Sequence, residues 1–213
     1  MADELIFSGR VIVDGQSVKN PGIIVSEKNI VEIDGKQIKP KLDLVYIMFN
    51  KPKLVITSKY DNEGRETIME YLPDNFQHLN PVGRLDFDAS GLLLLTNDGE
   101  LINKLTHPRY EAEKTYVVKC EPPITKLDLD YLTSGVEIAT DLISRADDVE
   151  LKNDTLLLTI HEGHYHHVKR MMEAINKKVV WLKRVSFKGV NLGDLPPGRW
   201  RYLTNNEVSK LKS

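Results

Sequence analysis

PVGRLDFDASGLLLLTNDG, residues 81–99, places Asp86 and Asp88 two positions apart just ahead of four consecutive leucines. The leucine run reads as the most buried strand of the chain. Acids seldom stand beside such a strand unless at least one has a use. Two carboxylates are the usual apparatus for breaking a glycosidic bond, which makes the pair a candidate acid/base couple. On an extended strand they would share a face, but Gly83, Ala89, Ser90 and Gly91 mark a turning loop, so the spacing leaves their relative directions open. The plainer alternative gives Asp88 a turning or capping role and pairs Asp86 with Arg84.

Upstream of this stretch, LVYIMFNKP opens a domain with another buried strand, and the polar KQIKPKLD, residues 36–43, reads as the linker before it. The boundary is expected near residue 40, giving segments 1–40 and 41–213. The first segment holds a short helical end, ELIFSG, then three β-type runs, RVIVDG, GIIVSE and NIVEIDG, separated by turn residues. The second is expected to run KLVITS, a helix around TIMEYL, the strand GLLLLT, a helix over GELINKL, the strand KTYVVKC and a helix over TKLDLDYL. DDVEL, TLLLTIHEG and KVVWLKRVSF follow as strands, and TNNEVSKL closes the chain as a helix, with Thr204 and Glu207 at capping-box spacing. Paired strand runs with helices between them predict an α+β fold with a mixed, largely antiparallel sheet rather than a doubly wound parallel one.

The 213 residues carry 29 basic and 31 acidic side chains, for a net charge of −2, so the total gives no sign of a polyanionic partner. The distribution does. From Glu121 to Glu150 eight acids face only Lys126 and Arg145, whereas from His161 to Arg184 six Lys/Arg and four histidines face only Glu162 and Glu173. One region can therefore meet an anion while the whole stays acidic. The single cysteine, Cys120, excludes an intramolecular disulfide and a Cys-rich zinc site. With no signal-peptide layout and no apolar run of membrane-spanning length, the expected location is the cytoplasm, without membrane association.

Ser90 is no hydrolase nucleophile, because its surroundings lack the first glycine of G-x-S-x-G. His161, His164, His166 and His167 lack tight metal-ligand spacing, which favours a basic RNA-facing loop over a metal site. From His166 the segment HHVKRMMEAIN has helical periodicity, with Val168, Met171, Met172 and Ile175 on one stripe and His166, Lys169, Arg170 and Glu173 on another. Cations in a first helical turn oppose the macrodipole unless an anion lies nearby, either a phosphate or a carboxylate such as Asp86. An ordinary solvated face is the plain alternative.

Taken together, GRLDFDASGLLLLTNDG, EKTYVV and EGHYHHVKRM resemble the active-site, tyrosine and basic motifs of the RsuA/RluB-type pseudouridine synthases. The likeness continues through FNKP at 49–52, LTHP at 105–108 and the ending PPGRWRYLTNNE. The first segment resembles the later part of an S4 RNA-binding module, whose usual additional N-terminal helix has no counterpart here. His164 stands where the family often has Arg, and His167 where it commonly has Gln.

The resemblance implies a pseudouridine synthase fold and isomerisation of a uridine in ribosomal RNA, by breaking N1–C1′ and forming C5–C1′. Asp86 matches the nucleophile; whether it attacks C1′ or C6, or assists a glycal, stays open. Tyr116 matches the tyrosine that packs on the extracted uracil. Lys169 matches the cation paired with the aspartate, Arg170 being the second choice. Arg84 would fill the vacated space or hold a phosphate, and His164, His166, Lys183 and Arg184 would supply the wider contact to RNA. No metal, nucleotide or redox cofactor is needed for an isomerisation. The implied partner is ribosomal RNA or a ribosome-assembly intermediate met by a monomer, and the Tyr-His pair of EGHYHHVKRM is closer to the small-subunit members. A large-subunit synthase, a non-catalytic RNA-binding protein and a nucleoside hydrolase are the rival readings.

Overall fold

The computed structural model describes residues 2–25, 29–38 and 43–213. The chain divides into two compact units, Met1–Asp43 and Leu44–Ser213. The boundary expected near residue 40, with half of the expected linker, falls on residues 39–42, outside the described residues.

In the first unit, helix α1 (Ala2–Phe7) precedes strands β1 (Val11–Val13), β2 (Gln16–Val18), β3 (Val31–Ile33) and β4 (Lys36–Ile38). They form an antiparallel sheet in the order β2-β1-β3-β4. Both hairpins turn on Asp-Gly: Asp14 and Gly15 have φ of 49° and 81°, Asp34 and Gly35 have 51° and 74°. Two successive positive φ values are what a two-residue type I′ turn requires. Two expectations fail here. Residues 22–25 of the GIIVSE run form no strand, and residues 26 and 27 lie outside the described ones. The linker read at 36–43 begins inside β4 instead, because the returning strands QSV and KQI are too polar to show an apolar pattern.

The second unit contains β5 (Tyr46–Lys51), β6 (Asn80–Pro81), β7 (Ser90–Thr96), helix α2 (Gly99–Thr106), β8 (Lys114–Glu121) and α3 (Lys126–Ser134). A hairpin of β9 (Val136–Ala139) and β10 (Leu142–Ser144) follows, then β11 (Asp148–Lys152), β12 (Thr155–Ile160) and α4 (His167–Ala174). The chain ends with β13 (Lys178–Phe187), β14 (Val190–Asn191), β15 (Trp200–Tyr202) and α5 (Asn205–Lys212). The main sheet runs β11-β12-β8-β13-β7-β5-β15, with β14 on β13 and β6 on β7. Its pairs are antiparallel except β7 with β13, so the α+β, largely antiparallel expectation holds. KLVITS is not a strand; its Ile56 makes only an isolated bridge to Thr67.

The four leucines explain the layering. Leu93 and Leu95 enter one apolar cluster with Phe49, Val118 and Met171, whereas Leu92 and Leu94 enter a second with Met48, Leu101 and Phe187. Alternation along β7 thus feeds both faces, each leucine contributing roughly 1.5–3 kcal/mol by burial.

The parallel junction is short, registered at Lys183 with Ser90 and Arg184 with Gly91. A Cβ at Gly91 would run into the Arg184 carbonyl oxygen and lie 2.7 Å from its amide nitrogen, and the glycine has φ of 108°. Only glycine fits there. Side chains prolong the junction at both ends: Ser90 Oγ donates to the Leu182 carbonyl at 3.3 Å, and Arg184 Nε to that of Leu92 at 2.8 Å. Ser90 is therefore a strand tie.

Candidate active site

Where β7 and β13 part, a cavity of about 170 Å³ opens, lined from both apolar layers by Leu85, Tyr116 and Leu182 on one side and Val82, Leu105 and Phe187 on the other. A cavity of about 150 Å³ is enough to admit a benzene-sized ring. Asp86 stands on its wall in the loop between β6 and β7, partly exposed. The loop closes as a turn in which the Ala89 amide donates to the Asp86 carbonyl at 3.1 Å.

Lys169, in the first turn of α4, reaches both acids: its Nζ lies 3.1 Å from Asp86 Oδ2 and 2.6 Å from Asp88 Oδ1. Burial opposes charge on both Asp88 and Lys169, but their bond outweighs it, holding the Asp88 carboxyl below its usual range and the Lys169 amine above its own. The acids are thus joined by one ammonium, and no Arg84–Asp86 pair forms. Arg84 is exposed on the cavity wall. Tyr116, on β8, is buried and lines the cavity. His166 stands beside the carboxylate, its Nε2 3.9 Å from Asp86 Oδ1, and His164 also lines the cavity, 3.6 Å from Glu162.

Two expected placements, those of Arg170 and Arg184, are corrected. Arg170 touches neither acid; its Nε donates to the Ile138 carbonyl at 2.7 Å and its Nη1 to that of Tyr165 at 3.4 Å. Being next to Lys169 on a helix, it points about 100° away. Lys183, expected in the wider contact to RNA, stands outside the cavity, since its β13 neighbours Leu182 and Arg184 face inward and alternation turns it outward. Arg184 offers no outer surface to RNA, being 2% exposed. It lines the cavity instead, with Cζ 4.9 Å from the Phe187 ring centre and Nη2 buried without a hydrogen-bond partner.

Two contributors play parts that the motifs containing them do not state. Lys51, the lysine of FNKP, is fully buried, and its Nζ donates to the carbonyls of Ala89 at 2.9 Å and Pro52 at 2.8 Å. It fixes the turn that presents Asp86. Burial pulls its amine down to about 8, against the opposing pull of Asp86 and Asp88. His167, expected in a basic RNA-facing loop, is instead buried in the first turn of α4, with Nε2 2.6 Å from Ser144 Oγ, which is 3.1 Å from Glu162 Oε2. Burial, then the nearby His164, lowers its pKa to about 4. Nε2 faces both Ser144 and the carboxylate while Nδ1 has no partner, so the group lacks the relay order of a hydrolytic triad.

Residues 45–174 match the family model described as RNA pseudouridylate synthase. The chain is 41% identical to an uncharacterized RNA pseudouridine synthase of Aquifex aeolicus, over 99% of this chain and 86% of that one. It is 38% identical to the ribosomal large subunit pseudouridine synthase B of Bacillus subtilis, over 100% and 89% of the two chains. It is 34% identical to the ribosomal small subunit pseudouridine synthase A of Escherichia coli, over 99% and 93%. A crystal structure of a pseudouridylate synthase superposes with a TM-score of 0.77 at 31% identity, covering 99% of this chain and 92% of that one.

Proposed function

The chain belongs to the RNA pseudouridylate synthase family, and we propose that it converts one uridine of ribosomal RNA, in the small subunit, to pseudouridine with Asp86 as nucleophile. The observation that carries this reading is the Asp86 carboxylate on the wall of a ring-sized cavity, 3.1 Å from the Lys169 ammonium and in company with Tyr116. The neighbouring ammonium holds the carboxylate oriented.

A stacked uridine is out of reach of this cavity, so the nucleotide is flipped in or taken from an unpaired segment. Tyr116 packs on the uracil, and Arg184 turns its unpartnered Nη2 toward the bound nucleotide. The N1–C1′ bond breaks, the uracil turns within the cavity, C5 bonds to C1′, and the proton lost from C5 is balanced by the one gained at N1. Tyr116 takes part in that proton removal, and Arg84 at the rim meets a phosphate or fills the vacated stack. The partner is ribosomal RNA or an assembly intermediate, met in the cytoplasm. No helix among the described residues is long and apolar enough to cross a membrane.

Pseudouridine mapping of ribosomal RNA from cells with and without the gene tests the reaction and the subunit together. A lost pseudouridine in large-subunit RNA corrects the subunit; no lost site refutes the proposal. Single-turnover assays on the mapped fragment then assign the residues. Asp86→Asn abolishes conversion with RNA affinity kept, Asp88→Asn is milder, and Lys169→Ala lowers the saturated rate more than affinity.

A further inference from the structure

Beside Asp86 the chain holds a large aromatic ring in solvent, stacked on a histidine. Tyr165 is 71% exposed, and its ring lies on that of His166 with centroids 3.8 Å apart and planes at 19°. His166 takes a left-handed backbone conformation at φ of 50°, and non-glycine residues pay for that only where the surroundings impose it. The constraint is visible: the His167 amide donates to the His164 carbonyl, closing a turn, and Arg170 grips the carbonyls of Tyr165 and Ile138. One face of Tyr165 is covered by His166 and the other is open. The stack adjoins the cavity mouth through His166, whose Nε2 is 3.9 Å from Asp86 Oδ1.

Resting on the RNA reading above, we infer that the open face of Tyr165 stacks a nucleobase next to the uridine held in the cavity. An aromatic ring fixed in water has no packing gain to offset its exposure, whereas a nucleobase offers a flat partner of matching chemistry. Arg170 then acts as a positioning residue for this platform, and Arg84, exposed on the cavity wall, supplies the adjoining backbone contact.

The experiment measures binding of a fluorescein-labelled oligouridylate at low salt, and of a copy with alternate abasic nucleotides, by anisotropy. Tyr165→Ser should bind oligouridylate roughly 5- to 150-fold more weakly than wild type, the range expected for one base–aromatic stack. Tyr165→Phe should bind as wild type does, and Tyr131→Ser, a change at an exposed tyrosine of α3, should have no effect. The salt dependence should keep its slope in Tyr165→Ser, since a base contact releases no counterions. On the abasic copy the difference between wild type and Tyr165→Ser should collapse.

Equal binding by Tyr165→Ser and wild type overturns the inference, as does a flattened salt slope, an undiminished difference on the abasic copy, or no binding by wild type. Conversion of uridine by a Tyr165→Ser protein that binds normally leaves the synthase reading intact while removing the platform. Weakened binding in a protein whose wild type converts no uridine does the reverse.

Discussion

Lys51 gives the sharpest test, because its charge and its hydrogen bonds act on stability in separable ways. The folded chain lowers its amine from 10.5 to about 8, chiefly by burial. Below about pH 8 the lysine is protonated in both folded and unfolded chains, and the folded state bears the full cost of the buried charge. Between about pH 8 and 10.5 the unfolded chain binds more protons, so this contribution makes stability rise with pH. The shift from 10.5 to about 8 corresponds to roughly 3 kcal/mol across that window. A neutral amine keeps two N–H groups, enough for the carbonyls of Ala89 and Pro52.

Lys51→Met removes the buried charge, a gain of roughly 3 kcal/mol, but leaves both acceptors unpaired at about 1–3 kcal/mol each, so near pH 7 the variant should lie between about 1 kcal/mol more and about 3 kcal/mol less stable than wild type. As pH rises to about 10.5, wild type should gain roughly 3 kcal/mol on the variant. Urea denaturation of both proteins across the window measures the difference. Lys114, also lowered to about 8, adds a slope of the same sign, and Cys120, raised to about 11, adds an opposite one. Both are shared by the two proteins and cancel in the comparison. A difference that stays flat with pH would refute the argument, showing that Lys51 keeps its proton in the folded chain.

On the acid side the sign is the same but the group differs: His167, lowered to about 4, stays neutral in the fold while the unfolded chain protonates near 6.5, so stability falls as pH drops from 6.5 toward 4. His167→Gln, which retains an amide for Ser144, should remove roughly 3 kcal/mol of that loss in denaturant titrations, and an unchanged acid limb would sink the assignment. Gly91→Ala should destabilise by about 2–6 kcal/mol, from the backbone strain and the clash with the Arg184 backbone. A midpoint in urea close to that of wild type would mean that the parallel junction yields easily.

How far the sequence discloses this fold and site follows from what kind of fact each residue states. The leucine strand is legible because burial on both faces removes the polar alternation, and the capping box of α5 is legible because it is a local hydrogen-bond arrangement, seen between Thr204 and Glu207. The second strands of the Asp-Gly hairpins are not, since turn chemistry places them and their own side chains are polar. The Lys169–Asp86 proximity could be anticipated from an uncompensated cation at a helix start, a demand for an anion that the sequence itself makes. The places of Arg170, Lys183 and Arg184 could not. Each depends on which way one residue turns on its element, and a one-residue step on a strand exchanges cavity for solvent. The roles of Lys51 and Gly91 are hidden for a further reason: their partners, the carbonyl of Ala89 and the backbone of Arg184, are main-chain groups that no side-chain pattern marks. Those two residues also explain why the cavity lies where it does. Gly91 lets β7 and β13 approach for two registered positions, Arg184 bonds across to Leu92 as they part, and Lys51 pins the turn carrying Asp86. A sheet of otherwise antiparallel neighbours thus opens beside its parallel pair, and the carboxylate stands at that opening because the chain enters β7 there.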